Sequence, residues 1–454
     1  MYQNGAIIEI VMEVDMQDYL FNQNVLIGLS ILTTVLCQLY LQTILKTSRS
    51  SFKKLPQATG LVLAAVALFI IELVSVAVIF SLDNIPASGY YLLFIFDALL
   101  VLTVFYWRTS TTSRVLGISS SICTLLLMGA SVNNFYQYYP NLGFLFANKH
   151  AFYTQNRPII NVSNPRNFNA PTSLESRLHP KLAYKGSLYS TQIPGITSGF
   201  KARDALLYLP PAYDAQSVTF PVIILLTGVP GSPGDWLHGE HFEQTMDSFA
   251  ARHQGISPVV VIPDHNGTFN NDTECVNSNR GNVETYLTTD VPTYLKSHFH
   301  VSQSQANWAI GGLSEGGMCA AMLTLRHQNI YQHFLDMSGD PAPFLRNSVQ
   351  SSQILFHNSY QDQQEHNINW LLQNKPIEPG ITGQFIIGNN DNSSLIDKMR
   401  RSYSLARSKG MAVSFERIPY QGHNAKAWGL AYQEALPKLS YFIGATNCES
   451  FCPK

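Results

Sequence analysis

A serine hydroxyl acts as a nucleophile only when the backbone bends to expose it and a base stands within hydrogen-bonding reach. In the segment AIGGLSEGGMCAAM, Ser314 meets the first requirement by pattern. Gly312 and Gly316 remove the side chains that would collide at a sharp bend, the run NWAI before the serine reads as a strand, and GGMCAAMLTLRH after it reads as a helix. A Gly-x-Ser-x-Gly match is weak by itself, its alternative being an idle serine in a glycine-rich turn; the strand, tight turn and helix around it favour the nucleophile. The base is expected late in the chain. His423 follows a strand-like run and lies in the loop YQGHNAKAW, whereas His298, His327 and His333 fall in expected helices or at their ends. The third partner is an acid ending a strand between the two, and Asp391 in FIIGNND fills that place. Asp397 is the second choice; Asp336 and Asp340 in LDMSGD follow it.

Charge that develops on a carbonyl oxygen needs donors already aimed at it. The N–H of Glu315, directly after the serine, is one expected donor, and the N–H of Val229, beside Gly228 in LLTGVPGSPGDW, is the other. A plain Gly/Pro turn is the alternative for that loop. The chain order Ser314, Asp391, His423 is the order of α/β-hydrolase triads.

These residues need a frame that brings distant parts of the chain together. From about residue 183 onward, short apolar runs alternate with helix-like segments: DALLYLP, FPVIILLTG, SPVVVIPD, QANWAIGGLS, QHFLDMSGD, GQFIIGNND and AVSFERIPYQGH. Apolar runs without alternation are strands buried on both faces, and strand followed by helix, repeated, predicts an α/β domain with a mostly parallel sheet over 183–454. Sites on such sheets form at the carboxyl ends of the strands, where Ser314, Asp391 and the 227–236 loop all fall. Residues 141–182, rich in Pro, Asn and Ser, read as a linker.

Residues 1–140 are different in kind. The stretches 25–44, 59–81, 89–107 and 115–135 approach the roughly 20 apolar residues needed to cross a bilayer core. Lys46, Arg49, Lys53 and Lys54 follow the first stretch and Arg108 and Arg114 follow the third, whereas 1–24 and 83–89 hold no Lys or Arg. By the positive-inside rule this predicts a multi-pass helical domain with the α/β domain on the outer side of the membrane. Glu72 and Asp97 interrupt the second and third stretches at similar depth and are expected to form a hydrogen-bonded pair, with a headgroup- or proton-holding role as the alternative. Cys37 and Cys123 read as packing residues within spans. The other four cysteines suggest two disulfides in an oxidising compartment: Cys448 with Cys452 as the local pair, leaving Cys275 with Cys319. No Cys-x-x-Cys spacing or nearby His pair points to zinc, and no metal or cofactor is expected. A formal net charge of -1 gives no electrostatic footprint for nucleic acid.

Taken together, LLYLPPAYDAQSVTFPVIILLTGVPGSPGDW, VIPD, VETYLTTDVPTYL, AIGGLSEGG, IIGNND and GHNAKAW resemble the "Putative esterase" family of α/β-hydrolases, which includes esterase D-like enzymes and actinobacterial mycolyltransferases. The likeness covers roughly 183–444 and is greatest to actinobacterial members with several membrane spans ahead of an extracytoplasmic esterase domain. It implies Ser314 as nucleophile, Asp391 as acid, His423 as base, Val229 and Glu315 as oxyanion donors, and Gly228, Trp236 and Trp428 at the substrate side. Two departures stand out. Thr227 replaces the usual His or Asp before the oxyanion glycine, and Glu315 replaces an apolar residue after the nucleophile. A carboxylate at 315 is expected to favour a cationic group near the scissile ester. The expectation is therefore a serine esterase on the outer face of a bacterial plasma membrane, acting on a lipid or envelope ester, with an aminoacyl-phospholipid as one specific form. A mycolyltransferase is the alternative enzyme, and a non-catalytic scaffold with a hydrolase fold is the alternative of another class.

Overall fold

The computed structural model describes residues 23–48, 66–67, 69–70, 87–107, 110–136, 154–155, 185–214, 218–237, 241–268, 271–345 and 347–447. They divide into two compact units, Met1–Phe146 and Ala147–Lys454.

Among its described residues the first unit contains three long helices: α1 (Gln23–Ser48), α2 (Ala87–Phe105) and α3 (Thr111–Tyr136). Each includes a window long and apolar enough to cross a membrane, namely Leu26–Ile44, Ser88–Phe105 and Thr111–Tyr136. Their packing is the reverse of a water-soluble bundle. Ile31, Leu32, Val104, Ile122 and Leu126 are exposed, while Ser113, Gly117, Ser120 and Thr124 are buried. Gly117 lets α3 approach so closely that a Cβ there would collide with Thr103 of α2 and Tyr40 of α1. Two of the buried hydroxyls find partners along α3 itself: Thr124 donates to the Ser120 carbonyl at 2.8 Å and Ser121 to the Gly117 carbonyl at 3.0 Å. The polar GISSSIC run, an unpromising feature for a span, is thus the face on which α3 packs. Of the four expected spans the second, 59–81, lies almost wholly outside the described residues, as does Glu72. Asp97 is buried within α2.

The second unit is built on one nine-stranded sheet. Its strands are β1 (Thr154–Gln155), β2 (Ser187–Thr191), β3 (Ala205–Leu209), β4 (Val222–Leu226), β5 (Val259–Ile262), β6 (Trp308–Leu313), β7 (His333–Met337), β8 (Thr382–Gly388) and β9 (Ala412–Ile418), in the spatial order β1-β2-β3-β5-β4-β6-β7-β8-β9. From β5 through β9 every pairing is parallel; β3 runs antiparallel to both β2 and β5. Strands β3 to β8 are buried throughout, which is why they read as unbroken apolar runs. Helices α5 (Val291–His298), α6 (Glu315–Arg326), α7 (Ile368–Asn374) and α8 (Ser393–Ser408) contribute to the core on one face of the sheet. On the other face lie α4 (Phe242–Arg252) and α9 (Ala425–Phe442).

One difference from expectation arises here. The supposed linker 141–182 contributes β1, which pairs in parallel with β2. Ahead of α5 the chain makes a single α-turn, Val283–Thr285, and a π-helical turn, Tyr286–Asp290.

Candidate active site

At the carboxyl end of β6 the chain turns directly into α6, and the residue at the turn is Ser314, with φ 53 and ψ -120. That is a costly conformation for a residue with a Cβ, and it persists only where its surroundings enforce it. They do so by close packing: a Cβ at Gly312 would strike the backbone of Gly316, and one at Gly316 would strike the carbonyl oxygen of Thr227. The Ser314 N–H donates to the Met337 carbonyl at the end of β7, at 2.8 Å.

Two neighbouring strand ends bring the other groups. His423 Nε2 lies 3.0 Å from Ser314 Oγ, and His423 Nδ1 lies 3.0 Å from Asp391 Oδ2. A carboxylate can only accept, so Nδ1 carries the ring proton and the Nε2 lone pair faces the serine hydroxyl. Burial of Asp391 favours its neutral form, yet the His423 contact, the Asn392 N–H at 2.7 Å from Oδ1 and the Ser338 hydroxyl together hold its carboxyl below the usual range. The acid is thus ionised and nearly sealed, its side chain 2% exposed, while the His423 side chain is 36% exposed and open to a substrate. Trp428 stands edge-to-face against the imidazole with ring centroids 5.0 Å apart.

On the opposite side of the serine lies the loop after β4. A Cβ placed on Gly228 would sit 3.2 Å from Ser314 Cβ, so the Gly228–Val229 backbone borders the nucleophile directly. The N–H of Glu315 opens α6 and belongs to the helix-start donors that have no partner within the helix. The loop is braced from behind: Arg203 makes a two-pronged contact to Asp264 at 2.7 and 3.0 Å and donates to the Gly231 carbonyl at 2.8 Å.

Ser314, Asp391, His423, Gly228, Val229, Glu315 and Trp428 therefore gather around one point. The second- and third-choice acids do not: Asp397 sits beside exposed Arg400, Asp340 pairs with Lys398, and Asp336 is buried beneath the elbow, accepting from the Gly339 N–H. Two expectations need correction. Trp236, expected on the substrate side, is fully buried in the core against Phe242 and Tyr432, because the short helix Pro233–Leu237 turns it inward. The Glu315 carboxylate, expected to greet a cationic substrate, is 6% exposed and turned away, its Oε1 accepting from the Glu274 N–H at 2.8 Å. Cys275 and Cys319 form a disulfide, tying the 272–276 loop to α6; Cys448 and Cys452 lie outside the described residues. Ser338 and the Asn392 N–H, both holding Asp391, went unread, although Ser338 stands within the LDMSGD motif already noted for its acids.

A hydroxyl on a strained strand-to-helix turn, an imidazole and a carboxylate on one parallel sheet are the marks of a serine hydrolase with the α/β-hydrolase fold. The chain belongs to the "Putative esterase" family, which it matches over residues 201–437. An uncharacterized protein of Corynebacterium glutamicum is 35% identical over 336 residues, spanning 72% of this chain and 75% of the relative. Among solved structures, a ferulic acid esterase is 17% identical, with a TM-score of 0.49 over 57% of this chain and 98% of that one. An S-formylglutathione hydrolase from Agrobacterium tumefaciens is 15% identical, with a TM-score of 0.48 over 57% of this chain and 97% of that one.

Proposed function

We propose that this chain is a membrane-anchored esterase that hydrolyses a lipid or cell-envelope ester through an acyl-enzyme. The single observation that carries the chemistry is the unbroken relay Ser314 Oγ, His423, Asp391, with both contacts at 3.0 Å. Ser314 Oγ attacks the ester carbonyl as its proton passes to His423 Nε2, and Asp391 stabilises the resulting imidazolium. The N–H groups of Val229 and Glu315 meet the oxyanion. His423 then gives its proton to the departing alcohol oxygen, leaving the acyl group on Ser314. Water, deprotonated by the same imidazole, attacks the acyl-enzyme, and the acid leaves with Ser314 restored.

The substrate class follows from the first unit. Its three apolar helices, with apolar side chains outward and small hydroxylated ones inward, suit a lipid surround. An active site confined near a bilayer meets bilayer-held esters at high effective concentration. We place the esterase unit on the outer face of a bacterial plasma membrane, in keeping with the Lys and Arg that follow the first and third apolar stretches and with the Cys275–Cys319 disulfide. With Glu315 turned inward, an aminoacyl-phospholipid loses the side chain that recommended it, and it enters as one substrate to be tried.

The test is to incubate the purified full chain in lipid vesicles with an aminoacyl-phospholipid, a neutral acyl lipid and a mycolyl donor with a sugar acceptor, and to follow products by mass spectrometry. Release of a free acid from a lipid ester, absent in His423→Ala, supports the proposal. Acyl transfer to the sugar with no hydrolysis would replace it with an acyltransferase.

A further inference from the structure

Charge on the second unit is uneven, and its most basic stretch begins beside the catalytic acid. Helix α8 opens two residues past Asp391, and β9, the edge strand in contact with it, leads into the His423 loop. Residues 393–417 hold six Lys and Arg against two acids, Asp397 and Glu416, in a chain whose overall charge is -1. Lys398 is matched by Asp340, and Arg400 by Asp397. Phe415 packs on the α8 side of the sheet, so strand alternation sends Glu416 to the other face and Arg417 to this one. Arg401, Arg407, Lys409 and Arg417 are all exposed, with no carboxylate partner among the described residues.

Three of these four cations are steadied by neutral groups that leave the charge uncancelled. Arg407 donates to the Tyr403 hydroxyl at 3.3 Å, Lys409 to the Gln373 carbonyl at 3.3 Å and Arg417 to the Asn389 carbonyl at 2.9 Å. The Arg407 guanidinium also lies 5.8 Å from the centre of the Tyr403 ring, as Arg400 lies 5.5 Å from that of Phe415. At the catalytic end of β9 stands Tyr420, 80% exposed and three residues before His423.

We propose that the exposed face of α8, with Arg417 and Tyr420, docks on the anionic headgroups of a lipid bilayer. This rests on the membrane-anchored reading above, which keeps a bilayer within reach of the second unit. Lys and Arg near an anionic bilayer surface are drawn to it, and a guanidinium matches a lipid phosphate with two parallel hydrogen bonds. An exposed Tyr suits the headgroup level, where its ring meets the apolar boundary and its hydroxyl stays wet. A soluble anionic polymer would match the cations but offer the Tyr420 ring no apolar layer, which favours lipid. Docking through this face brings the carboxyl ends of β8 and β9, and with them Asp391 and His423, to the bilayer surface, where a lipid ester is within reach of Ser314.

The contact is measured without any ester, so the result stands apart from the esterase chemistry. The full chain is placed in nanodiscs of phosphatidylcholine alone or of equal parts phosphatidylcholine and phosphatidylglycerol. Arginines are modified with phenylglyoxal and lysines by acetylation, and each site's rate is read by mass spectrometry. Arg401, Arg407 and Lys409 should react at least about threefold more slowly in the anionic discs, and high salt should remove the difference. Arg252, exposed at the end of α4 on the opposite face of the sheet, should react equally in both. Arg401→Gln combined with Lys409→Gln should weaken the protection of Arg407. A chain that enters both discs with Arg401 and Arg407 equally reactive overturns the proposal alone; one that enters neither removes the membrane reading and the proposal with it. Protection by soluble heparin in the neutral discs, with none from phosphatidylglycerol, would replace the bilayer by an anionic polymer.

Discussion

The contact between His423 Nε2 and Ser314 Oγ exists because Asp391 holds the imidazole from its other side. Replacing Asp391 by Asn removes the acceptor that keeps the proton on Nδ1, so Asp391→Asn should lower kcat about 10⁴-fold while leaving the fold in place. Steady-state kinetics beside a melting curve checks this; a loss of less than tenfold would show that another acid serves the imidazole. At this scale the sequence spoke clearly where a residue's role is tied to its place on a strand end, as with Ser314, Asp391 and His423. It misled where the question was which way a side chain points. Trp236 turns into the core between Phe242 and Tyr432, and the Glu315 carboxylate is captured by a backbone N–H contributed by a residue 41 positions earlier. Neither partner is visible from local pattern.

At the level of elements, the site depends on how closely α6 approaches the end of β4. Gly316 is the point of contact, since any Cβ there meets the Thr227 carbonyl. Gly316→Ala is expected to cost about 2 kcal/mol of stability and to displace the Glu315 N–H, with activity falling further than stability. Unfolding by denaturant alongside an esterase assay separates the two effects, and a fully active variant would show that the packing is looser. Beneath the same elbow, burial pushes the Asp336 carboxyl up to about 7. For an acid so raised, the neutral form is favoured in the folded state, so its stabilising contribution is full below the unfolded value of about 3.9 and is lost as pH rises through about 7. Asp336→Asn should therefore flatten the decline in melting temperature between about pH 4 and pH 8; an unchanged slope would refute the assignment. Strands β3 to β8 were legible because burial on both faces leaves an unbroken apolar signature. The half-buried β2 and the two-residue β1 carry too little of that signature, and β1 is fixed only by its pairing with β2.

For the whole molecule, the sequence divided an apolar helical part from an α/β part, and the two compact units differ in the same way. In α3, Ser120 and Ser121 of GISSSIC are buried, a use of polar residues that hydropathy alone registers as weakness. If the helices serve to hold the esterase at a bilayer, deleting residues 1–146 should slow hydrolysis of a vesicle-embedded ester about 10²-fold and leave a short soluble ester unaffected. Equal rates on the vesicle substrate would remove the anchor from the account. The central claim, that Ser314 is an activated nucleophile, is tested most directly by treating the full-length protein with a fluorophosphonate and mapping the modified residue by mass spectrometry. The account predicts one adduct on Ser314, lost in Ser314→Ala and formed far more slowly in His423→Ala. A folded wild type that takes no label, or takes it on another serine, would contradict it.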